Sequence, residues 1–396
     1  MEEILRRTWA EIDLDALANN FREVRAAASP KAQICCVIKA DGYGHGALRV
    51  AREFQELGAG WFAVSNLEEA LQLRRGGIEK PILVLGFTPA EEAGTLARES
   101  ISQCLYSADY AQALSRCAQK AGVQVHVHVK IDTGMGRLGF AFQDINRDEG
   151  TIQEVKAACT LPGLIPQGIF SHFASADEGT EGDLFTMRQY GCFKEITEAL
   201  QRAGLAFQVR HCANSAALFD YPLSHLDLVR AGVVLYGLSP SGQLRAQPRL
   251  MPALSLRSVV SHVKTIRPGA TVSYGREFTA EREMRIATVP VGYADGYPRG
   301  LARGGAYVLI HGQPCPVVGR ICMDQLMADV SELEHVEIGH RVTLIGRDGD
   351  REITASQVAK WENTINYEVV CALSKRVPRV YMKGGKVDSI YNQLLN

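Results

Sequence analysis

The segment CCVIKADGYGHG, Cys35 to Gly46, sets Lys39 at the end of an apolar, β-prone run and follows it with a glycine-rich turn carrying Tyr43 and His45. Lysine is a poor strand residue and a good amine nucleophile. Burial disfavours its charged form, so the free amine can attack a carbonyl and form a Schiff base, the attachment used by pyridoxal phosphate. Polar residues close other apolar runs: Lys130 with Asp132, His172, His211 with Asn214 and Ser215, and Arg230. A phosphorylated cofactor also needs hydroxyl and backbone N–H donors. NSAAL (Asn214–Leu218), AGV (Ala231–Val233) and the Tyr43 hydroxyl can supply them.

Such residues act together only if a scaffold brings distant run ends to one place. The first part of the chain alternates short β-rich runs with segments of helical spacing. The runs are QICCVIKA, WFAVSN, PILVLGF, SQCLYS, VQVHVHVKID, LIPQGIFSHF, FQVRHCANS and LDLVRAGVVLYG. The helical segments include HGALRVAREFQEL, NLEEALQLRR, SADYAQALSRCAQKAG and MRQYGCFKEITEALQRAG. Strand then helix, repeated eight times over about 230 residues, predicts an α/β chain folded as a (β/α)8 barrel. Pattern alone leaves a doubly wound open sheet as the alternative. In a barrel, catalytic groups gather at the C-terminal ends of strands and in the loops that follow. Lys39, the Lys130/Asp132 pair, His172, His211 and Arg230 all fall at such ends, so five strands deliver polar chemistry to one rim.

The texture then changes. LSLRSVVSHVKTI, MRIATVPVGYA, AYVLIHGQPCPVVGRICMDQLMADV and HRVTLIG are strand-like runs separated by Gly, Pro and Asp, with little helical periodicity before ASQVAKWE. We divide the chain into a barrel domain over 1–245 and a mainly β domain over 246–396. The first ten or so residues are assigned to packing on the second domain, and SPSGQLRAQPRLMP is read as the linker. The sequence contains no internal repeat and no low-complexity segment.

Composition excludes several classes of partner. With 396 residues, 46% of them hydrophobic, the chain can bury a large core without staples. Its 43 Lys+Arg against 44 Asp+Glu give no electrostatic footprint for nucleic acid or an anionic membrane. No run approaches the roughly 20 apolar residues of a membrane span, and MEEILRRTWAEIDLD is too charged for a signal peptide. The ten cysteines include no C-x-x-C pair, and Cys35 and Cys36 sit in a strand-like run, so a reduced, cytoplasmic protein is expected.

Two motifs are decoys. GMGRLG (Gly134–Gly139) matches G-x-G-x-x-G, but no helical run follows promptly and the preceding strand carries His, Lys and Asp. HVHVK has the spacing of a metal-ligand pair. Strand alternation instead puts Val125, Val127, Val129 and Ile131 on one face and His126, His128, Lys130 and Asp132 on the other. A layered, hydrogen-bonded polar stack inside the barrel fits better than zinc, and no metal is expected.

Taken together, VIKADGYGHG, VKIDTGMGRLGF, SHFASAD, HCANSAA, VRAGVVLYG, VSYGREF, VGYADGYPR and GRICMDQLM resemble the bacterial alanine racemase family, in order and over essentially the whole length. Gly42 departs from the alanine usual in the family. The resemblance implies a pyridoxal 5'-phosphate-binding barrel plus a β domain, paired as a head-to-tail homodimer whose two active sites borrow residues from each other's second domain. By position, Lys39 matches the Schiff-base lysine, and Tyr43, Ser215, Gly232, Val233 and Tyr367 match phosphate-binding positions. Arg230 matches the arginine facing the pyridine nitrogen, His172 its neighbour, and Arg137 the residue near the substrate carboxylate. Lys130 matches a lysine, carbamylated in some members, that orients that arginine. Tyr274 matches the second base, and Met323 with Asp324 a partner-chain element of the substrate pocket. His211, Tyr293, Arg299 and Arg320 match positions lining the cofactor or the entrance.

The implied reaction interconverts L- and D-alanine, the latter for peptidoglycan, with one base on each face of a planar carbanion that the cofactor ring delocalises. A tyrosine phenol has a pKa of about 10, and lowering it to about 7 takes roughly 4 kcal/mol. One neighbouring cation moves a pKa by only about 1–3, so the resemblance implies a relay from Arg230 through His172 to the tyrosine. Residue chemistry alone leaves a broader or serine-specific racemase, or a non-catalytic cofactor-binding barrel, as alternatives.

Overall fold

A computed structural model describes residues 7–395. Ala18–Gly42 and Ala47–Leu250 form one compact unit; the described residues of Met1–Leu17, Tyr43–Gly46 and Met251–Asn396 form the other. Of the first ten or so residues assigned to the second domain, 1–6 lie outside the described residues.

The strands of the first part are β1 (Thr8–Asp13), β2 (Gln33–Val37), β3 (Trp61–Val64), β4 (Ile82–Val84), β5 (Ile101–Leu105), β6 (Val125–Asp132), β7 (Phe140–Ala141), β8 (Leu164–Phe170), β9 (Val209–His211) and β10 (Leu228–Ala231). Strand β1 belongs to the second unit. The barrel runs in the order β10-β2-β3-β4-β5-β6-β8-β9, with every pair parallel and the short β7 beside the end of β6. Two amides bring the last strand to its neighbour: Asp227 N donates to Arg210 O at 3.1 Å and Arg230 N to Ala213 O at 3.0 Å. Parallel strands covered on both faces read as unbroken apolar runs, as ICCV, WFAV and ILV do. This is the expected (β/α)8 barrel, and the open sheet is excluded.

The eighth strand is followed only by the 3-10 turn Val233–Tyr236. Helix Leu14–Ala27, which precedes the first barrel strand, lies beside that turn, with Asn20 Nδ2 donating to Leu235 O at 3.2 Å. The eighth helix of the ring therefore comes from upstream.

On β6, Val125, Val127, Val129 and Ile131 are fully buried against the helix layer, while His128, Lys130 and Asp132 share the other face. That face is the barrel lumen, because His128 Nδ1 meets His211 Nε2 of β9 at 2.9 Å. The His128 ring fits only because β8 presents a glycine: a Cβ at Gly168 would lie 2.4 Å from its Nδ1.

In the second unit, one sheet has the order Gln313–Pro316, Tyr307–Ile310, Arg341–Asp348, Leu254–Val259, β1, Arg379–Lys383 and Lys386–Tyr391, with Arg351–Ile353 paired to Arg341–Asp348. A second sheet joins His262–Ile266, Met284–Val289 and Leu326–Asp329. Val272, Ala280, Met284, Ile286 and Val318 form a buried apolar cluster in this unit. LSLRSVVSHVKTI, one run in sequence, is two strands in different sheets. Val260 N bonds His340 O and the next amide, Ser261 N, bonds Thr288 O, so the chain changes sheets between them.

Gly168→Ala should lower the melting temperature in calorimetry, by an amount corresponding to about 1–3 kcal/mol of overpacking. An unchanged transition would contradict the packing of His128 against β8.

Candidate active site

Lys39 does not close its strand. Strand β2 ends at Val37, and Lys39 opens a left-handed helical turn in which Ala40, Asp41, Gly42 and Tyr43 have φ of 53°, 52°, 61° and 52°. Such a conformation costs roughly 1–2 kcal/mol per non-glycine residue, so only surrounding bonds can hold it. Glu69 supplies two: its Oε1 accepts from Ala40 N and its Oε2 from Ser65 N, each at 2.7 Å. Asp41 Oδ1 accepts from Ala47 N at 2.8 Å, and Gly42 N donates to Ile38 O at 2.9 Å. Gly42, the departure from the family pattern, sits where a positive φ favours glycine.

Arg230 is the centre of the barrel rim and is 3% exposed. Its Nη2 donates its two N–H groups to Ser171 O and Cys212 O, both at 2.9 Å, and shares one of them with His172 Nδ1 at 3.2 Å; its Nη1 meets His211 Nδ1 at 2.9 Å. None of these partners is a carboxylate, and Nε makes no hydrogen bond to a described residue. Arginine has no acceptor and keeps its proton, so both Nδ1 atoms must accept. Neutral His172 and His211 then carry their protons on Nε2. His211 passes its proton-bearing Nε2 to His128 Nδ1, which extends the chain into the lumen.

Charge and burial keep these rings neutral. Burial, then Arg230, Arg137, Lys130 and Lys39, hold His172 well below the usual histidine range. Burial, then Arg230, do the same for His211. His128 is pushed down to about 3, chiefly by burial.

Lys130 is 5% exposed, donates to Ile131 O at 2.8 Å, and is brought down to about 8 by burial first, with Arg230 and Arg137 adding to the effect. Asp132 is a loop organiser. Its Oδ1 accepts from the amides of Gly134, Met135 and Gly136 at 2.8–3.1 Å, so GMGRLG is a turn folded around a carboxylate. That turn carries Arg137, which is exposed. Ser215 Oγ accepts from Gly232 N at 2.9 Å, which brings the 214–218 and 231–233 segments together.

The remaining sequence-derived residues lie in the second unit. Tyr43 is buried, with its ring 6.1 Å from that of Tyr367. The Tyr43–Gly46 excursion is built into this unit: Arg379 Nε donates to Gly44 O at 3.0 Å, and a Cβ at Gly44 would lie 2.0 Å from Val370 O. Tyr274 and Met323 are 66% and 52% exposed and line one open groove with Ser273, Cys322 and Asp324. Arg320 is ion-paired with Glu277, and Asp324 with Arg376. Buried Asp295 takes Arg7 and Arg376 and accepts from Gly292 N, which fixes the turn bearing Tyr293. Arg299 is exposed at the start of the turn Arg299–Gly304.

Sequence reasoning missed the residues that hold others. Glu69 had a signal, since N-x-x-E before an apolar helical run is a capping signature; Asn66 Oδ1 does accept from Glu69 N at 2.9 Å. Gln189 had none. It is fully buried, bonds His172 O and Ala174 N, and reaches Thr133 Oγ1.

A (β/α)8 barrel with a rim of two lysines and a buried arginine bound to two imidazoles, followed by a mainly β domain with an exposed tyrosine, defines an enzyme of the barrel racemase class. The chain matches the alanine racemase N-terminal domain over residues 12–240 and the alanine racemase C-terminal domain over 253–381. It is 44% identical over 389 residues to alanine racemase of Clostridium tetani, covering 98% of each chain. The solved alanine racemase of Clostridium difficile 630 superposes with a TM-score of 0.92 at 39% identity, covering 99% of this chain and 100% of that one. The histidine racemase of Leuconostoc mesenteroides shares the fold at a TM-score of 0.83 and 30% identity, covering 96% of this chain and 99% of that one. The chain belongs to the alanine racemase family.

Histidines held neutral by burial have a stability consequence with a definite sign. Each contributes stability that is fully present above the unfolded imidazole value of about 6.5 and is lost as pH falls toward the depressed folded value. The melting temperature should fall as pH drops from 7 toward 4, and less steeply in His128→Gln than in the parent chain. Equal slopes would contradict a neutral, buried His128.

Proposed function

We propose that the chain interconverts L-alanine and D-alanine, with Lys39 serving one face of the substrate Cα and Tyr274 of the partner subunit the other. The family depends on pyridoxal 5'-phosphate, and the barrel residues fit it. Ser215 Oγ, which accepts from Gly232 N, would hold the phosphate with the backbone at Gly232 and Val233; Tyr43 and Tyr367, whose rings lie 6.1 Å apart, are the further phosphate ligands of this reading. Arg230 is a buried cation among neutral acceptors with its Nε available as a donor, suited to an uncharged ring nitrogen. When bound, the cofactor supplies the electron sink that makes the Cα proton removable. His211, stacked on Phe170 with ring centroids 4.8 Å apart, braces this wall of the lumen.

The observation that carries the reading is the hydrogen bond from Arg230 to His172 Nδ1. It leaves His172 with a proton on Nε2 and a cation behind it. A neutral N–H donor so polarised stabilises the phenolate of a tyrosine base without surrendering its own proton. Arg137 binds the substrate carboxylate, Lys130 orients that arginine, and Met323 of the partner subunit, with Asp324 of the partner subunit, bounds the pocket. Tyr293, Arg299 and Arg320 line the entrance.

Two bases from different chains require a head-to-tail homodimer with shared sites. We place the enzyme in the cytoplasm, supplying D-alanine for peptidoglycan. Among the described residues, no helix is long and apolar enough to cross a membrane. Specificity is the open variable within this fold, because one methylene or hydroxyl in a small pocket is worth only about 1–3 kcal/mol.

Incubating the cofactor-loaded protein with each L-amino acid, followed by chiral analysis, should give the D-form from alanine far faster than from serine or histidine. Product from serine or histidine at the alanine rate would overturn the assignment. Tyr274→Phe should slow deuterium exchange at Cα of one alanine enantiomer by about 100-fold and leave the other much less affected. Equal losses would reject the two-base arrangement. Mixed Lys39→Ala and Tyr274→Ala protomers should recover activity in verified hybrid dimers; inactive hybrids would reject the shared site.

A further inference from the structure

The second unit carries a cluster of chemistry that racemisation does not use. His335, Glu337 and His340 offer three ligand atoms that all lie within 4.8 Å of one another, the one group of this kind among the described residues. Its spacing, H-x-E-x-x-H, arises from ordinary local rules. Val336 is 5% exposed and turns inward, so His335 and Glu337, on either side of it, face outward together. The chain then reverses. His340 N donates to Glu337 O at 3.2 Å, with Gly339 at φ 89° supplying the left-handed residue that such a turn needs. The reversal swings His340 back over Glu337.

The turn is clamped. Gly339 N donates to Val260 O and Val260 N to His340 O, each at 2.8 Å, at the end of Leu254–Val259. A third imidazole stands alongside: the His311 ring, on the hairpin turn between Tyr307–Ile310 and Gln313–Pro316, is 4.6 Å from the His340 ring. That turn is held by Gly312 N donating to an Asp348 carboxylate oxygen at 3.1 Å. Three imidazoles and a carboxylate thus project from two fixed turns. The nearest cation in sequence, Arg341, is 3.7 Å from Asp348 and so has its own counter-ion.

We propose that His335, Glu337 and His340 form a surface site for a divalent first-row transition ion of the zinc class, with His311 or water completing a four-coordinate shell. Imidazole with one carboxylate is the donor set such ions favour. Metal–ligand bonds of about 2.0–2.2 Å in a tetrahedron set donor atoms roughly 3.3 Å apart. Exposed side chains on fixed turns close that gap by rotamer changes. Binding has an identifiable cost: Glu337 N donates to His340 Nδ1 at 3.2 Å, and that bond is lost whichever ring nitrogen takes the ion.

The test is calorimetric titration of zinc chloride into chelator-treated, cofactor-loaded enzyme, with cobalt(II) visible absorption as a report of coordination geometry. One ion should bind per chain. His335→Ala, Glu337→Gln and His340→Ala should each weaken binding by about tenfold or more, whereas metal-free racemase activity and circular dichroism stay at parent levels, which separates ligand loss from misfolding. A four-coordinate cobalt spectrum that is the same in His311→Ala would assign the fourth position to water, and a six-coordinate spectrum would overturn the four-coordinate shell. No binding, or binding equally strong in the three variants, would overturn the proposal.

Discussion

A buried guanidinium with no carboxylate to neutralise it is the constraint around which the barrel interior is arranged. Arg230 sits at the end of β10 and is satisfied by Ser171 O, Cys212 O and the Nδ1 atoms of His172 and His211. An unpaired buried charge is expensive, and hydrogen bonds to neutral acceptors lower that cost without cancelling the charge. The field survives inside a low-dielectric wall, where it acts on whatever the rim binds. The same bonds tie the ends of β8, β9 and β10 together. They dictate two histidine tautomers, and through His211 they reach His128 and require a glycine at position 168.

The other side of the rim is built by strain. The four-residue left-handed turn after Lys39 is unfavourable by itself, and Glu69, Asp41 and the Gly42 amide hold it against that cost. Strain of this kind persists only where neighbours over-determine it. Its use here is positional: the lysine is delivered from the first residue of a rigid turn. The chain then leaves the barrel unit for the four residues Tyr43–Gly46, whose packing against Val370, Arg379 and Tyr381 belongs to the second unit.

Much of this was legible in the sequence, for reasons of pattern. All eight barrel runs became strands: ICCV, WFAV and ILV carry the unbroken apolar signature of burial on both faces, and VHVHVKID carries strand alternation. The polar residues at their ends converge because the fold class compels it. What escaped was non-local. Nothing in LSLRSVVSHVKTI marks the residue at which consecutive amides choose different sheets. No local signal shows that Tyr43–Gly46 belongs with strands more than 300 residues downstream. Gln189 looks like any polar helix residue until its amide is found bracing the backbone beside His172. The run QICCVIKA overshoots its strand by three residues, since β-propensity cannot see a left-handed turn that begins with Ala and Asp.

The proposed chemistry depends on the protonation pattern around Arg230, and nitrogen-15 NMR of enzyme labelled in histidine reads that pattern directly. In the cofactor-loaded protein near neutral pH, His172 and His211 should each give one unprotonated and one protonated ring nitrogen, with the proton on Nε2 in both. An imidazolium signal from either residue, or a proton on Nδ1, would contradict the arrangement from which the proposed chemistry is argued.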